Sequence, residues 1–309
     1  MKKTFYSNGK LLITGEYLVL NGAKALALPT KFGQTLTVSS LEEKKIIWTS
    51  FDADKSIWFE TELTFEDILL QKNFEEEHPI KHTLVEILHQ ANLQNPSFLT
   101  TQTGYKIETE LTFPRNWGLG TSSTLINNIA QWLQIDAFEL LRKSFGGSGY
   151  DIACAQHDTA IMYQLNENEK PVVHVVNFNP TYKNAIYFVY LNKKQNSRHA
   201  IQNYMNKQQF LSQKKASISE ISNQILLSKD FETTKNLIEH HEIILSDILE
   251  TQTTKERLFS DFKGTIKSLG AWGGDFVMVL SEENPTDYFK SKGYQTILPY
   301  QEMIMDHPI

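Results

Sequence analysis

The sequence predicts an α+β fold, and three observations predict it. Much of the first hundred residues alternates apolar and polar positions, the period of half-buried strands. The stretch from about Ser197 to Leu258 has few glycines or prolines and reads as helical. Three glycine-rich turns, in WGLGTSS, FGGSGYD and LGAWGGD, stand at strand–helix junctions.

The elements follow in order. FYSNGKLLITGEYLVL holds two β-prone runs around Gly15. QTLTVSSLE, KKIIWTSFD and SIWFETEL alternate as strands, and IKHTLVEILHQANLQ switches to helical spacing. GYKIETELTF, Gly104 to Phe113, alternates as a half-buried strand and runs directly into PRNWGLGTSSTL. Leu125, Ile126, Ile129, Ala130 and Leu133 then recur at helical spacing, which predicts an amphipathic helix with one buried face. Thr121, Ser122 and Ser123 sit where an N-cap belongs. After FGGSGYDIACAQHD come the strand-like TAIMYQL and AIYFVYL, and SLGAWGGD leads into the strand FVMVL. The loops around Pro171 and Pro180 divide the chain into expected domains of residues 1–170 and 171–309.

Composition narrows the function. With 40% hydrophobic residues in 309, the chain suits a globular protein. A net charge of −6 with scattered basic residues argues against nucleic acid as a partner. No apolar run approaches the roughly 18 residues of a membrane span. Glu16 interrupts the N-terminal apolar segment, so the expectation is a cytoplasmic protein rather than a secreted or membrane one. The single Cys154 forbids an internal disulfide and a cysteine-based zinc cluster, and it reads as packing.

Gly118 to Ser123 admits two readings. One is a tight strand-to-helix turn with a good cap. The other is a phosphate site, because free N–H groups and the helix dipole at a helix N-terminus favour an anion. Glycines allow close approach, and hydroxyls add hydrogen bonds or an oxygen ligand for magnesium. No lysine follows the glycines, so this is not a P-loop. GGSGYD puts Asp151 at the head of an apparent helix, and NGKLLITGEY supplies Lys10.

Together these strings resemble the GHMP kinases, the superfamily of galactokinase, homoserine kinase, mevalonate kinase and phosphomevalonate kinase. GKLLITGEYLVLNGAKALALPT is similar to the N-terminal motif, PRNWGLGTSSTL to the phosphate loop, and KSLGAWGGDFVMVL to the C-terminal glycine loop. The motifs occur in the family's order and span most of the chain. GSGYDIA, with GEY and GGD, looks closest to the phosphomevalonate/mevalonate kinase branch and fits a bacterial subgroup called after its GYDIA string.

The resemblance implies an N-terminal ribosomal-protein-S5-like domain and a C-terminal ferredoxin-like domain, with ATP in a cleft rather than a Rossmann crevice. It implies that Gly118, Leu119, Gly120, Thr121, Ser122 and Ser123 wrap the ATP phosphates and that Ser122 helps hold Mg2+. Asp151 aligns with the catalytic aspartate and Lys10 with the lysine beside it. Gly270, Ala271, Gly273, Gly274 and Asp275 form the third loop, near substrate. Lys193, Lys194, Ser197 and Arg198 follow a buried-type strand and are placed to meet an anionic substrate; a solvated loop is the plainer reading of each.

The sequence also departs from the family. Trp117 and Trp272 replace small residues and argue for a compact pocket. The segment from Ser123 to Asp151 is short, and Glu139, the nearest candidate for a magnesium-binding glutamate, reads better as a solvated helix position. His240 and His241, between Glu239 and Glu242, read as an exposed polar face. The expectation is an ATP-dependent kinase of a small anionic acceptor, mevalonate or phosphomevalonate, in isoprenoid biosynthesis, acting as a monomer or homodimer. A mevalonate-diphosphate-decarboxylase-like enzyme and a non-catalytic nucleotide- or sugar-binding member remain open.

Overall fold

The computed structural model describes residues 2–193, 204, 211–270, 272 and 274–305. The chain forms two compact units. The first comprises Met1–Gly9, Phe32–Arg115 and Leu119–Gln156; the second comprises Lys10–Lys31, Asn116–Gly118 and His157–Ile309.

In the first unit, strand β2 (Ala25–Leu41) contributes its second half. That half pairs antiparallel with β5 (Gly104–Leu111), from Gln34 opposite Leu111 to Leu41 opposite Gly104. β1 (Lys2–Leu12) pairs with β2. β3 (Lys45–Phe51) runs parallel to β5 and antiparallel to β4 (Ile57–Thr64). A parallel pair needs a crossover. Here β4, α1 (Phe65–Leu69) and α2 (Pro79–Gln94) form that connection. A capping box between Thr64 and Asp67 starts α1.

The strand alternation has the expected consequence. Leu36, Val38, Ile46, Trp48, Leu63 and Ile107 are buried in one cluster. Against them pack Leu84 and Leu88 of α2, Ile126 and Ile129 of α3 (Thr121–Leu133), Leu140 of α4 (Ala137–Ser144) and Ile152 of α5 (Tyr150–Ala155). Each such side chain contributes about 1.5–3 kcal/mol by burial.

In the second unit, Ala25–Ala27 of β2 pair antiparallel with β6 (Ile161–Leu165), which pairs with β7 (Pro171–Val175). A four-stranded antiparallel sheet runs β11 (Ile297–Pro299), β8 (Ile186–Tyr190), β10 (Phe276–Leu280), β9 (Thr265–Ser268). Val189, Ile266, Val277, Val279, Phe259, Phe262 and Phe289 form its core. Helices described in this unit include α6 (Leu211–Leu227), α7 (Phe231–Leu249), α8 (Thr254–Leu258), α9 (Thr286–Ser291) and α10 (Tyr300–Met303). Among the described residues, no helix is long and apolar enough to cross a membrane.

Two local expectations change. The second β-prone run, YLVL, is a 3-10 turn over Leu18–Asn21, entered through Tyr17 at φ 62. Helix α3 buries more than its apolar face. Asn127 and Asn128 are also buried, because their amides hydrogen-bond to neighbouring strands.

Candidate functional site

In the first unit the site is the start of α3. Its N-cap is Gly120, in the left-handed region at φ 99, and no side chain caps the helix. The hydroxyls point the other way. Ser123 Oγ donates to the Gly120 carbonyl at 2.9 Å, and Thr124 Oγ1 lies 3.1 Å from the same carbonyl and 2.8 Å from Gln34 Oε1. The expected N-cap role of Thr121, Ser122 and Ser123 is therefore not how these hydroxyls are used. Thr121 Oγ1 is buried and makes no hydrogen bond among the described residues. Ser122 is half-buried and Leu119 fully buried.

Buried amides fix the position of this helix. Asn128 Nδ2 donates to Gln34 O at 2.9 Å, and its Oδ1 accepts from Ser7 Oγ at 2.8 Å. Asn127 Nδ2 donates to Ser7 Oγ at 2.8 Å, and Asn127 Oδ1 accepts from Gln156 Nε2 at 3.0 Å. Asp151 stands in the first turn of α5, half-buried, behind Gly149 at φ 89. One of its carboxylate oxygens accepts the Ile152 N–H at 3.1 Å. Glu139 stands in the first turn of α4 and pairs with Arg142 at 3.7 Å on an accessible face.

The second unit gathers Lys10, Trp117, Gly118, Gly270 and Asp275 around one small cleft. Lys10 Nζ donates to the Gly118 carbonyl at 3.1 Å. Gly118 has φ 70, and a Cβ there would lie 2.4 Å from Asp275 Cγ, so only glycine fits beneath this carboxylate. Asp275 is itself left-handed at φ 53 and buried. Its N–H donates to Lys193 O at 2.6 Å, and its carbonyl accepts from Leu191 N at 2.8 Å. Trp117 packs edge-on against Phe276, with ring centroids 5.4 Å apart, and Phe276 packs against Tyr190 at 5.3 Å. Tyr190 anchors the set through its hydroxyl, which donates to Asn116 O at 3.1 Å. Burial, and then the Asp275 charge, raise the Tyr190 pKa. Gly274 is buried beside Asp275. Lys194, Ser197, Arg198, Ala271 and Gly273 lie outside the described residues.

One expectation is corrected. His241 and Glu242 are not on an exposed face: their exposures are 0% and 3%. They belong to a buried group with Glu16 and Lys267. Lys267 Nζ contacts Glu16 Oε1 at 2.5 Å and Glu242 Oε1 at 3.0 Å. His241 Nε2 accepts the Gly15 N–H at 3.0 Å and lies 3.5 Å from Glu16 Oε2. Burial pushes the Glu16 carboxyl up to about 7, against the lowering pull of Lys267. Burial and the Lys267 charge hold His241 well below the usual imidazole range, so it is neutral. Burial alone would lower the Lys267 pKa, but the two carboxylates outweigh it and raise it. Sequence reasoning missed this group because each member is a common surface residue type. Only the isolated Glu16 inside an apolar run signalled it.

No protein-family model and no curated protein matches the chain. Solved structures do. Methanococcus jannaschii mevalonate kinase is 16% identical and superposes with a TM-score of 0.72, over 96% of this chain and 97% of that one. Streptococcus pneumoniae phosphomevalonate kinase, in complex with phosphomevalonate and AMPPNP, is 16% identical, over 94% and 95%, with a TM-score of 0.70. Lactococcus lactis galactokinase, complexed with galactose, is 13% identical, over 94% and 88%, with a TM-score of 0.62. The chain has the two-part α+β fold of the GHMP kinases.

Proposed function

We propose that the chain is an ATP-dependent small-molecule kinase of the GHMP type. The observation that carries this reading is the start of α3: a helix N-terminus with no side-chain cap, entered through Gly118 and Gly120, in a chain of this fold. Uncapped amides and the helix dipole suit the β- and γ-phosphates. Leu119 and Gly120 shape the approach, and Thr121, Ser122 and Ser123 present the amides.

The same reading includes magnesium. Among the described residues no group of three or more His, Cys, Asp or Glu side chains could hold a metal. The ion would rely on phosphate oxygens and water, with the Ser122 hydroxyl as its protein ligand, which agrees with the oxygen preference of Mg2+. When bound it would neutralise charge on the phosphates.

The chain's own residues do the rest. Asp151 accepts the proton of an alcohol acceptor. Lys10 supplies positive charge to the moving phosphoryl group. Gly270, Gly274 and Asp275 face the acceptor. The acceptor is a small anion, phosphomevalonate or mevalonate. The likeness of GSGYDIA, GEY and GGD to that branch supports it, and Trp117, which lines the cleft, argues for a compact pocket. Work in the mevalonate route and in the cytoplasm belongs to the same proposal.

An ATP-coupled screen of mevalonate, phosphomevalonate, homoserine and common sugars tests the reading. Turnover of either mevalonate compound is expected, without release of carbon dioxide. Asp151→Asn should lower kcat for mevalonate by about 10²–10⁴-fold while ATP still binds. Release of carbon dioxide would move the chain to the decarboxylases, and binding of ATP without turnover would make it a sensor.

A further inference from the structure

Gly15, Glu16 and Tyr17 are consecutive, yet each holds a different part of the second unit. The Gly15 N–H donates to His241 of α7. Glu16 meets Lys267 of β9. Tyr17 Oη accepts the Trp272 N–H in the third glycine turn at 3.0 Å. The root of that turn is tied as well. Glu242 Oε2 accepts the Ser268 N–H at 3.0 Å, and Lys267 Nζ donates to the Ser268 carbonyl at 2.7 Å. The turn is therefore held at its root by the Lys267–Glu242 pair and further along by Tyr17.

The backbone of this tether is not relaxed. Tyr17 has φ 62, and such a conformation persists only where the surroundings over-determine it. Gly15 has φ 87, and a Cβ there would lie 2.7 Å from Ala25 Cβ. Two carboxylates, one ammonium and a neutral imidazole are buried together, which is a poor route to stability alone, since well-packed apolar residues often do as well or better. What charges add is direction: each bond fixes one atom to another.

We propose that Glu16, acting through Lys267 and Glu242 and together with Tyr17, is a positioning residue for the third glycine turn. It sets where Asp275 stands against Gly118 and Lys10. Its consequence for catalysis rests on the kinase reading above; the coupling itself does not. The groups facing Glu16 are Lys267 from β9 and His241 and Glu242 from α7, while Tyr17 is flanked by Tyr204, with ring centroids 5.4 Å apart, and feels the Asp275 charge.

Residue-resolved amide exchange on the full chain tests this, comparing wild type with Glu16→Gln and Tyr17→Phe. Glu16→Gln should speed exchange at Ser268 and Trp272 by about tenfold or more, with Val279 in β10 unchanged. Tyr17→Phe should speed Trp272 alone. Once an acceptor is found, both variants should raise its KM by a larger factor than they raise the KM for ATP. Unchanged exchange at Ser268 and Trp272, or equal acceleration at Val279, overturns the proposal. If Glu16→Gln does not fold, Tyr17→Phe decides. Selective acceleration in a chain that phosphorylates nothing upholds the positioning role and sinks the kinase reading.

Discussion

Helix α3 in one unit and the Gly15–Tyr17 loop in the other are both fixed by buried polar groups, but of different kinds. Around α3 they are neutral: Ser7, Gln34, Asn127 and Asn128 exchange hydrogen bonds of 2.8 to 2.9 Å. Around Glu16 they are charged, with Lys267 between two carboxylates. Neutral amides satisfy each other at any ordinary pH. A buried set with two negative charges and one positive charge answers to protons. The same task, holding a glycine turn in place, is therefore pH-independent in one unit and pH-dependent in the other.

The largest break is Lys267→Met, which leaves Glu16 and Glu242 buried without their cation. Unfolding in denaturant at pH 8 should show a loss of about 3–5 kcal/mol. Next comes the pH dependence of the charged set. The Glu16 pKa is raised from 4.5 to about 7, so the folded state holds this proton more tightly than the unfolded one. Its stabilisation is complete below 4.5 and is lost as pH rises through about 7. Relative to Glu16→Gln, wild type should lose about 3 kcal/mol across that window, at about 1.4 kcal/mol per unit. The difference between variants matters because the depressed His241 pKa gives wild type an opposite slope: its contribution is present above the usual 6.5 and lost on acidification. Asn128→Ala removes buried hydrogen bonds and should cost about 1–3 kcal/mol. That cost should stay flat over the same pH range; a slope would erase the contrast between the units. Ser122→Ala is the smallest break in stability, about 0.5 kcal/mol or less, since Ser122 caps nothing. It should nonetheless raise the magnesium concentration needed for turnover.

Much of the fold is legible in the residues, and the reasons are local. The alternation of KIIWTSF and GYKIETEL sets one face of β3 and β5 inward, and both strands are where the pattern puts them. The spacing of Ile126, Ile129 and Leu133 places the core face of α3. What the pattern could not give depends on distant partners. Asn127 and Asn128 lie outside the apolar stripe, yet Ser7 and Gln34, far off in sequence, satisfy them. His241 and Glu242 read as surface for the same reason: their partners are Glu16 and Lys267. YLVL reads as a strand because hydropathy does not register the left-handed Tyr17. The glycine turns are legible as turns, and Gly118 has a further cause invisible in sequence, the Asp275 carboxylate in the space a Cβ would need.

The central claim is that the start of α3 receives nucleotide phosphate. Titrating AMPPNP with magnesium into isotopically labelled full-length chain, and following backbone amides by NMR, tests it most directly. The account predicts saturable shifts centred on the amides of Gly120, Thr121, Ser122 and Ser123, weakened when magnesium is withheld. Saturable binding that leaves those amides unmoved, or no binding at millimolar nucleotide, would contradict it.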